Sequence, residues 1–463
     1  MTLIKSISGI RGTIGGQKGD NLTPIDLVKF SAAYAAWVKK ASKDQSKITV
    51  IVGRDARISG SMVSSIVEGT LLASGIDVIN IGLASTPTVE IAVTEHHADG
   101  GIILTASHNH KQWNALKLLN RKGEFLNDYE GRQILSMAES EDFTFAEIDN
   151  IGNVISRDPF NEEHVDMVMG LPFVELNKIK EAKLKIVVDG VNSIGGVIIP
   201  ALLKRLGVDV VKLNCDPTGH FAHNPEPIPE NLTQICSVIK EVGADLGIVV
   251  DPDVDRLAII NEDGTMFGEE YTLVAVADYV LSKVKGNTVS NLSSSRALRD
   301  VTLAHGGEYF AAAVGEVNVV AKMKEVNAVI GGEGNGGVIY PASHYGRDAL
   351  VGVVLFLTSY VEKGLKCSEL KATYPQYFIS KNRIDLTPTT DVSMILSGIK
   401  SKYASEKITN IDGVKIDFED EWVHLRSSNT EPIIRIYSES KTMEAADALA
   451  QKICADIKEL MGA

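Results

Sequence analysis

Cysteine is scarce in this 463-residue chain, and its four copies are scattered. Cys215, Cys236, Cys367 and Cys454 form no Cys-x-x-Cys pair, which excludes a zinc knuckle and a dithiol redox motif. A few isolated thiols suit a reducing compartment. Long apolar runs are also missing. The longest lies around Ala349–Leu357, well short of the ~20 residues of a membrane span. The opening MTLIKSISGIRG shows neither a long apolar stretch nor a cleavage site. The expectation is a soluble, cytoplasmic protein with no membrane partner. Basic residues do not dominate either. A net charge of −14 and a pI near 5.3 set up a field that repels nucleic acid and acidic membranes. An anionic ligand therefore has to be held by a local cluster of Lys, Arg and backbone N–H groups.

What is present describes a globular protein, 44% hydrophobic and 23% charged. The length is too great for one hydrophobic core and predicts three or four domains. Strand and helix patterns alternate from about residue 48 to 365, as in α/β domains. Ile48–Val52, Val78–Ile81 and Ile102–Leu104 have strand patterns; Ser61–Ala73 and Thr88–His97 have helical ones. A weak repeat runs through this stretch. HHADGGIILTASHN, EVGADLGIVVDPDVDR and KEVNAVIGGEGNGG each pass from a helix end through Asp99, Asp245 or Asn327 into a short apolar strand and a polar loop. Ligands of open α/β sheets sit at such carboxyl ends. After about residue 372 the pattern changes to an α+β module: a strand over Phe378–Leu386, a helix over Val392–Tyr403, three short strands reaching Tyr437, and a closing helix over Met443–Met461. No low-complexity linker separates these parts.

Four loops carry chemistry. In Thr105-Ala106-Ser107-His108-Asn109, Ser107 stands at a strand end beside His108, with Lys117 following; either neighbour can move a proton. A lone serine there would more often be a helix cap. Asp251, Asp253 and Asp255, in DPDVDR, alternate along an extended segment and offer hard oxygen ligands suited to Mg²⁺. An EF-hand is excluded, since no glycine follows the third acid and no glutamate stands at loop position 12. Gly331–Gly337 sets Glu333 and Asn335 among glycines, suited to sugar hydroxyls. The phosphate-loop pattern GxxxxGK[ST] is absent from it. The fourth, Arg426–Pro432 with Arg435 on the next strand, sets two arginines about a turn rich in hydroxyl and amide donors, suited to an anion. Ser8–Gly12, with Arg11, and Gly53–Arg57 are two further arginine-bearing bends, each structural when taken alone.

TASHN, DPDVDR, GGEGNGG and RSSNTEPIIRIYSE, in that order and spacing, resemble the α-D-phosphohexomutase family. SGIRG and VVDGVNSIGG fit the same pattern, and the resemblance covers essentially the whole chain. It implies three related three-layer α/β/α domains with mixed sheets and a C-terminal α+β domain like the TATA-box-binding protein, around a central cleft. The expected spans are 1–154, 155–257, 258–372 and 373–463. It further implies that Ser107 is a phosphoserine and that Asp251, Asp253 and Asp255 bind Mg²⁺ together with a phosphoserine oxygen. Glu333 and Asn335 would hold sugar hydroxyls. Arg426, Ser428, Asn429 and Thr430, with Arg435 near them, would hold the non-reacting phosphate. Arg11, Lys117 and Arg256 would line the transfer site, with His108 sharing the proton work. The implied cofactors are Mg²⁺ and a catalytic hexose 1,6-bisphosphate. The implied partner is a small hexose phosphate, and the chain would be a monomer or a homodimer.

Three departures stand out: His110 replaces the proline usual after the reactive loop, Ala115 replaces a glycine before the lysine, and Gly337 stands where many members have a histidine. GGEGNGGVIYP resembles the archaeal-type phosphoglucosamine mutases. Glu316 puts an acid where mannose and glucose mutases often carry a histidine. The resemblance thus implies interconversion of glucosamine 6- and 1-phosphates, with mannose or glucose phosphate as the alternative. Glu316 could equally cap a helix over Asn318–Val326. A phosphomonoesterase would leave the sugar loop and phosphate clamp without a role. A non-catalytic sensor would not need Ser107 with all three aspartates.

Overall fold

The computed structural model describes residues 2–6, 9–42, 47–387, 391–427 and 433–461. Four sheets define four domains. The first holds seven strands: β1 (Ile4–Ser6), β2 (Gly9–Thr13), β3 (Thr49–Arg54), β4 (Asp77–Leu83), β5 (Gly100–Leu104), β6 (Trp113–Leu119) and β7 (Val154–Ser156), in the order β1-β2-β6-β5-β3-β4-β7. The second comprises β8 (Lys185–Asp189), β9 (Asp209–Leu213), β10 (Leu246–Val250) and β11 (Leu257–Asn261), ordered β11-β10-β8-β9. The third comprises β12 (Asn287–Asn291), β13 (Tyr309–Ala312), β14 (Ala328–Glu333) and β15 (Gly337–Ile339), ordered β13-β12-β14-β15.

The three sheets repeat one unit. In each, a central strand (β5, β10 or β14) lies parallel to its neighbour on one side and antiparallel on the other to the strand that follows it in sequence. The central strands are almost entirely buried because both faces are covered, and only β14 ends in a charged residue, Glu333. Asp99 and Asp245 enter two of them in the same way. The Asp99 carboxylate accepts from Thr49 N at 3.1 Å, and Asp245 from Lys185 N at 2.7 Å, so each fixes the adjoining parallel strand. Asn327, the third member, takes a left-handed φ of 50°. The repeat thus delivers the serine, aspartate and glycine loops from the same position of each unit. The second sheet is completed by β11, which lies beyond the 155–257 span.

The fourth sheet is antiparallel, ordered β16-β20-β19-β18-β17: β16 (Phe378–Asp385), β17 (Lys407–Thr409), β18 (Val414–Asp417), β19 (Trp422–Ser427) and β20 (Ile433–Ser440). Four strands therefore follow the helix Val392–Lys402, one more than the sequence pattern suggests, since β17 is only three residues long and too short to show alternation. Helices Val392–Lys402 and Met443–Met461 cover one face, burying Ile399, Ile416, Leu425, Ile436 and Ile453 as a separate core. Among the described residues no helix is long and apolar enough to cross a membrane.

Candidate functional site

The serine loop is fixed from below by a buried ion pair. Asp55 accepts from Arg57 Nε at 3.0 Å and from Thr105 Oγ1 at 2.7 Å. Thr105 Oγ1 in turn accepts from Ser107 N at 3.0 Å. The Arg57 guanidinium then donates to the carbonyls of Ser107, Asn109, His110 and Trp113. This framework holds Ser107 at φ 47°, a left-handed backbone costly for a residue with a Cβ. Gly53–Arg57 therefore builds the site, a role its sequence alone did not reveal, because Arg57 grips backbone carbonyls some fifty residues away.

Ser107 Oγ donates to Asp251 Oδ2 at 2.7 Å, and His108 Nδ1 lies 3.4 Å from Ser107 Oγ. Asp251, Asp253 and Asp255 are fully buried, each with a carboxylate oxygen within 4.8 Å of the others'. Val254 between them takes φ 61°, an outlier for a β-branched residue. Every domain of the repeat binds this loop's backbone. Thr86 N donates to Asp253 O, Ser193 Oγ to Pro252 O and Ala349 N to Val254 O. Asp251 Oδ1 accepts from the N–H groups of Asp255 and Arg256. Asp253 Oδ2 accepts from Lys117 Nζ and Thr86 Oγ1, both at 2.6 Å. Asp253 Oδ1 and Asp255 Oδ1 are buried with no hydrogen-bond partner. Two orphaned carboxylate oxygens beside a third buried acid and a serine hydroxyl form a donor set that fits a hard divalent cation such as Mg²⁺.

Electrostatics follow from this crowding. Burial, then the charges of Asp255 and Asp253, push Asp251 well above the usual carboxylate range. Burial acts the same way on Asp253, but Lys117 outweighs it and holds Asp253 low. Burial opposes the Lys117 ammonium, and Asp253 and Asp255 overcome it, so Lys117 keeps its proton more firmly than usual. His108 is pushed well below its ordinary value by burial and by the cations Arg256 and Arg11. Arg11, on β2, stands in register with Ala115 on β6, two residues from Lys117. Arg256 Nε lies 3.8 Å from Asp255 Oδ1.

The glycine loop joins this cluster through a residue the motifs did not single out. Arg347 donates to Asp255 Oδ2 and Glu333 Oε2, both at 2.6 Å, and its Nε lies 3.2 Å from Glu316 Oε2. Glu333 Oε1 also accepts from Asn291 Nδ2 and Gly315 N, and Asn335 Oδ1 accepts from Gly337 N at 3.2 Å. Gly337 is required sterically: a Cβ there would stand 2.3 Å from Arg347 Cδ. The departure from histidine at 337 thus makes the room that Arg347 fills. Glu316 stands in the first turn of the helix Glu316–Glu325, behind Gly315, where an acid is favourable, and its Oε1 also accepts from Arg347 N. Burial raises Glu316, and Arg347 offsets part of that.

Behind the site, a second buried network joins three domains. Thr88 Oγ1 meets His164 Nδ1 at 2.9 Å, His164 Nε2 meets Asp348 Oδ2 at 2.9 Å, and His344 lies 3.3 Å from Asp348 and 3.1 Å from Glu90. Glu90 is pushed up to about 8 by burial and by Glu316; His344 rises to about 10 because Asp348 and Glu90 outweigh its burial.

On the fourth domain, Arg426 and Arg435 face each other in register across β19 and β20, with Arg426 Nη1 3.9 Å from Asp412 Oδ2. Ser428, Asn429 and Thr430 lie outside the described residues.

Three repeated α/β/α units and an antiparallel-sheet domain, converging on a serine beside a carboxylate triad, have the architecture of the phosphohexomutases. Residues 3–145, 162–264, 268–377 and 394–456 match in turn alpha/beta/alpha domains I, II and III and the C-terminal domain of phosphoglucomutase/phosphomannomutase. The chain belongs to that family and is a phosphohexomutase, an intramolecular phosphotransferase. A phosphoglucomutase/phosphomannomutase of Thermococcus kodakarensis is 36% identical over 441 residues, 94% of this chain and 95% of that protein. A probable phosphoglucosamine mutase of Pyrococcus abyssi is 33% identical over 454 residues, 96% of this chain and 95% of that protein. The crystal structure of a phosphoglucomutase/phosphomannomutase family protein from Burkholderia thailandensis shares the fold, with a TM-score of 0.85 at 24% identity over 99% of this chain and 97% of that one.

Proposed function

We propose that the chain interconverts glucosamine 6-phosphate and glucosamine 1-phosphate through a phosphoserine at Ser107 and a 1,6-bisphosphate intermediate. The observation that carries the reading is Ser107 Oγ held 2.7 Å from Asp251 within a buried triad whose free oxygens point to a cation. Asp251, Asp253 and Asp255 would hold Mg²⁺, which when bound would neutralise phosphoryl charge. The chain's own residues supply the rest. The bond from Ser107 Oγ to phosphorus breaks as the sugar hydroxyl oxygen bonds to it. Lys117, paired with Asp253, fits proton exchange with the sugar hydroxyl. His108, whose Nδ1 lies 3.4 Å from Ser107 Oγ, shares the proton work with Lys117 and fits delivery of the hydroxyl's proton to that oxygen as it departs. Arg256 and Arg11 add positive charge at the transfer site. Glu333 and Asn335 orient sugar hydroxyls, while Arg426, Ser428, Asn429, Thr430 and Arg435 hold the phosphate that does not react. Turning the bisphosphate end for end and returning the other phosphoryl to Ser107 completes the cycle.

Glu316 supports the amino sugar, because a buried carboxylate next to Glu333 favours an ammonium at C2. Mannose or glucose phosphate is the second reading. It is favoured by the name of the Thermococcus relative and by Arg347, which already occupies the Glu316 carboxylate. Turnover of glucosamine, glucose and mannose 6-phosphates with Mg²⁺ and catalytic bisphosphate tests both. Glucosamine 6-phosphate is expected to give the highest kcat/KM, and Glu316→Gln to lower it by about tenfold relative to glucose 6-phosphate, ~1.4 kcal/mol. Equal losses on both substrates would favour the second reading.

A further inference from the structure

We propose that Arg383, on the edge strand of the fourth domain, is a third cation of the phosphate-binding face and captures the incoming sugar-phosphate dianion ahead of Arg435 and Arg426. The inference rests on the reading of Arg426 as a phosphate contact.

Strand register carries it. Arg383 on β16 is the direct partner of Arg435 on β20, and Arg435 is the direct partner of Arg426 on β19. Three arginines thus form one row across three adjacent strands, spanning about 10 Å at the usual strand spacing. The neighbouring row Asn382, Ile436 and Leu425 points the other way, and Ile436 and Leu425 belong to the core beneath the two helices. Side chains alternate along strands, so the arginine row lies on the opposite, helix-free face.

That face looks toward the third domain. Two residues along the strands from the arginines, on the same face, lies a row of Lys415, His424, Tyr437 and Lys381. Lys415 Nζ donates to Leu292 O at 2.8 Å, and His424 Nδ1 lies 2.8 Å from Ser293 Oγ. The next residue, Ser294, accepts from Gly334 N in the glycine loop at 2.9 Å. The arginine row stands one step of about 7 Å farther along the strands, toward the end of β19 that leads into the proposed phosphate loop.

Like charges placed directly opposite one another weaken a sheet, and a bound anion removes that penalty. Asp385 Oδ1 lies 3.9 Å from Arg383 Nε, and Asp412 Oδ2 3.9 Å from Arg426 Nη1. Arg383 is 65% exposed, unlike Arg426, and so meets an incoming ligand first. The chain carries a net charge of −14, so an approaching dianion is repelled overall, and a row of cations offsets that repulsion locally. The competing explanation is that a charge on an edge strand prevents sheet-to-sheet pairing. That role would alter solubility and leave KM unmoved.

Steady-state kinetics of full-length R383A, R383E and R383K on the best hexose 6-phosphate, at low and at about 0.5 M salt, decide between them. At low salt kcat/KM is expected to fall about fivefold in R383A, further in R383E, and little in R383K, with the loss in KM. At high salt the differences shrink below about twofold, because exposed charges are screened. The Tm of R383A rises by about 1 °C as the like-charge row is relieved. Equal kcat/KM in wild type, R383A and R383E at low salt overturns the proposal, as does a loss undiminished at high salt. Arg426→Ala measured alongside separates the two levels. A raised KM there with an unchanged one in R383E sinks only the capture role, whereas an unchanged KM in both sinks the clamp as well.

Discussion

The seam between the second and third domains and the seam between the third and fourth are built from different materials. Across the first, one hydrophobic cluster runs without a break: Ile179, Ile199 and Leu202 of the second domain pack in the same core as Val280, Phe356 and Leu357 of the third. Across the second, the joins are polar. Arg296 donates to the carbonyls of Glu419 and Glu421, and its N–H to Glu439; Lys415 reaches Leu292 O, His424 meets Ser293, and Val314 N donates to Asp412. Apolar seams resist sliding, whereas polar ones exchange their partners with water at little net change. The fourth domain is therefore the part that can swing, and the second and third form a fixed floor. On the proposed function, the serine and aspartate loops lie outside the swinging part, and the arginines proposed to hold phosphate lie on it.

The comparison breaks hardest at Ser107. Ser107→Ala is expected to lower kcat by at least about 10³-fold while the melting temperature stays put. Intact-mass and peptide analysis of the wild type should place the phosphate on Ser107. Near-normal turnover in the variant would end the phosphoserine mechanism. Next comes the apolar seam: Phe356→Ala should cost about 3–5 kcal/mol in denaturant unfolding. Hydrogen exchange should then rise in the second and third domains together, with the fourth unaffected. Loss confined to the third would contradict a shared core. Arg426→Ala should act on the other side of the divide, raising KM by about 30- to 150-fold, or ~2–3 kcal/mol for a charge-assisted phosphate contact, with kcat little changed. The smallest effect concerns the network behind the site. His344 and Glu90 both bind protons more tightly in the folded state than in the unfolded chain. Their contribution is complete at acid pH and is lost as pH rises through about 8 and then about 10. Thermal melts from pH 6 to 10 should fall with rising pH, and Glu90→Gln should flatten that fall by on the order of 1 kcal/mol. A slope unchanged in the variant would remove the network from the floor's stability.

Much of this was legible from sequence where the determinants are local. Asp251, Asp253 and Asp255 announce themselves by spacing, and the three-fold unit by its helix–turn–strand repeat. Arg347 gave no such signal. Its partners Asp255, Glu316 and Glu333 lie 92, 31 and 14 residues away, and only the fold brings them to one guanidinium. The Thr88–His164–Asp348–His344–Glu90 chain is invisible for the same reason, since its links span 76 and 184 residues. For Glu316 the helix start was legible as an acid in the first turn, whereas its pairing with Arg347 was not, because that partner lies 31 residues away. β17 was missed because three residues hold too little alternation to register as a strand.

Gly337 and Arg347 also set an order of events for any lineage that carries them. With Arg347 pinned by three carboxylates, a side chain at 337 has nowhere to go. Exchanging Gly337 first is closed, while exchanging Arg347 first leaves buried acids unpaired. The two positions are locked as a pair, and crossing from this arrangement to one with a side chain at 337 requires both changes to arrive together, or a prior change that disarms one of the acids.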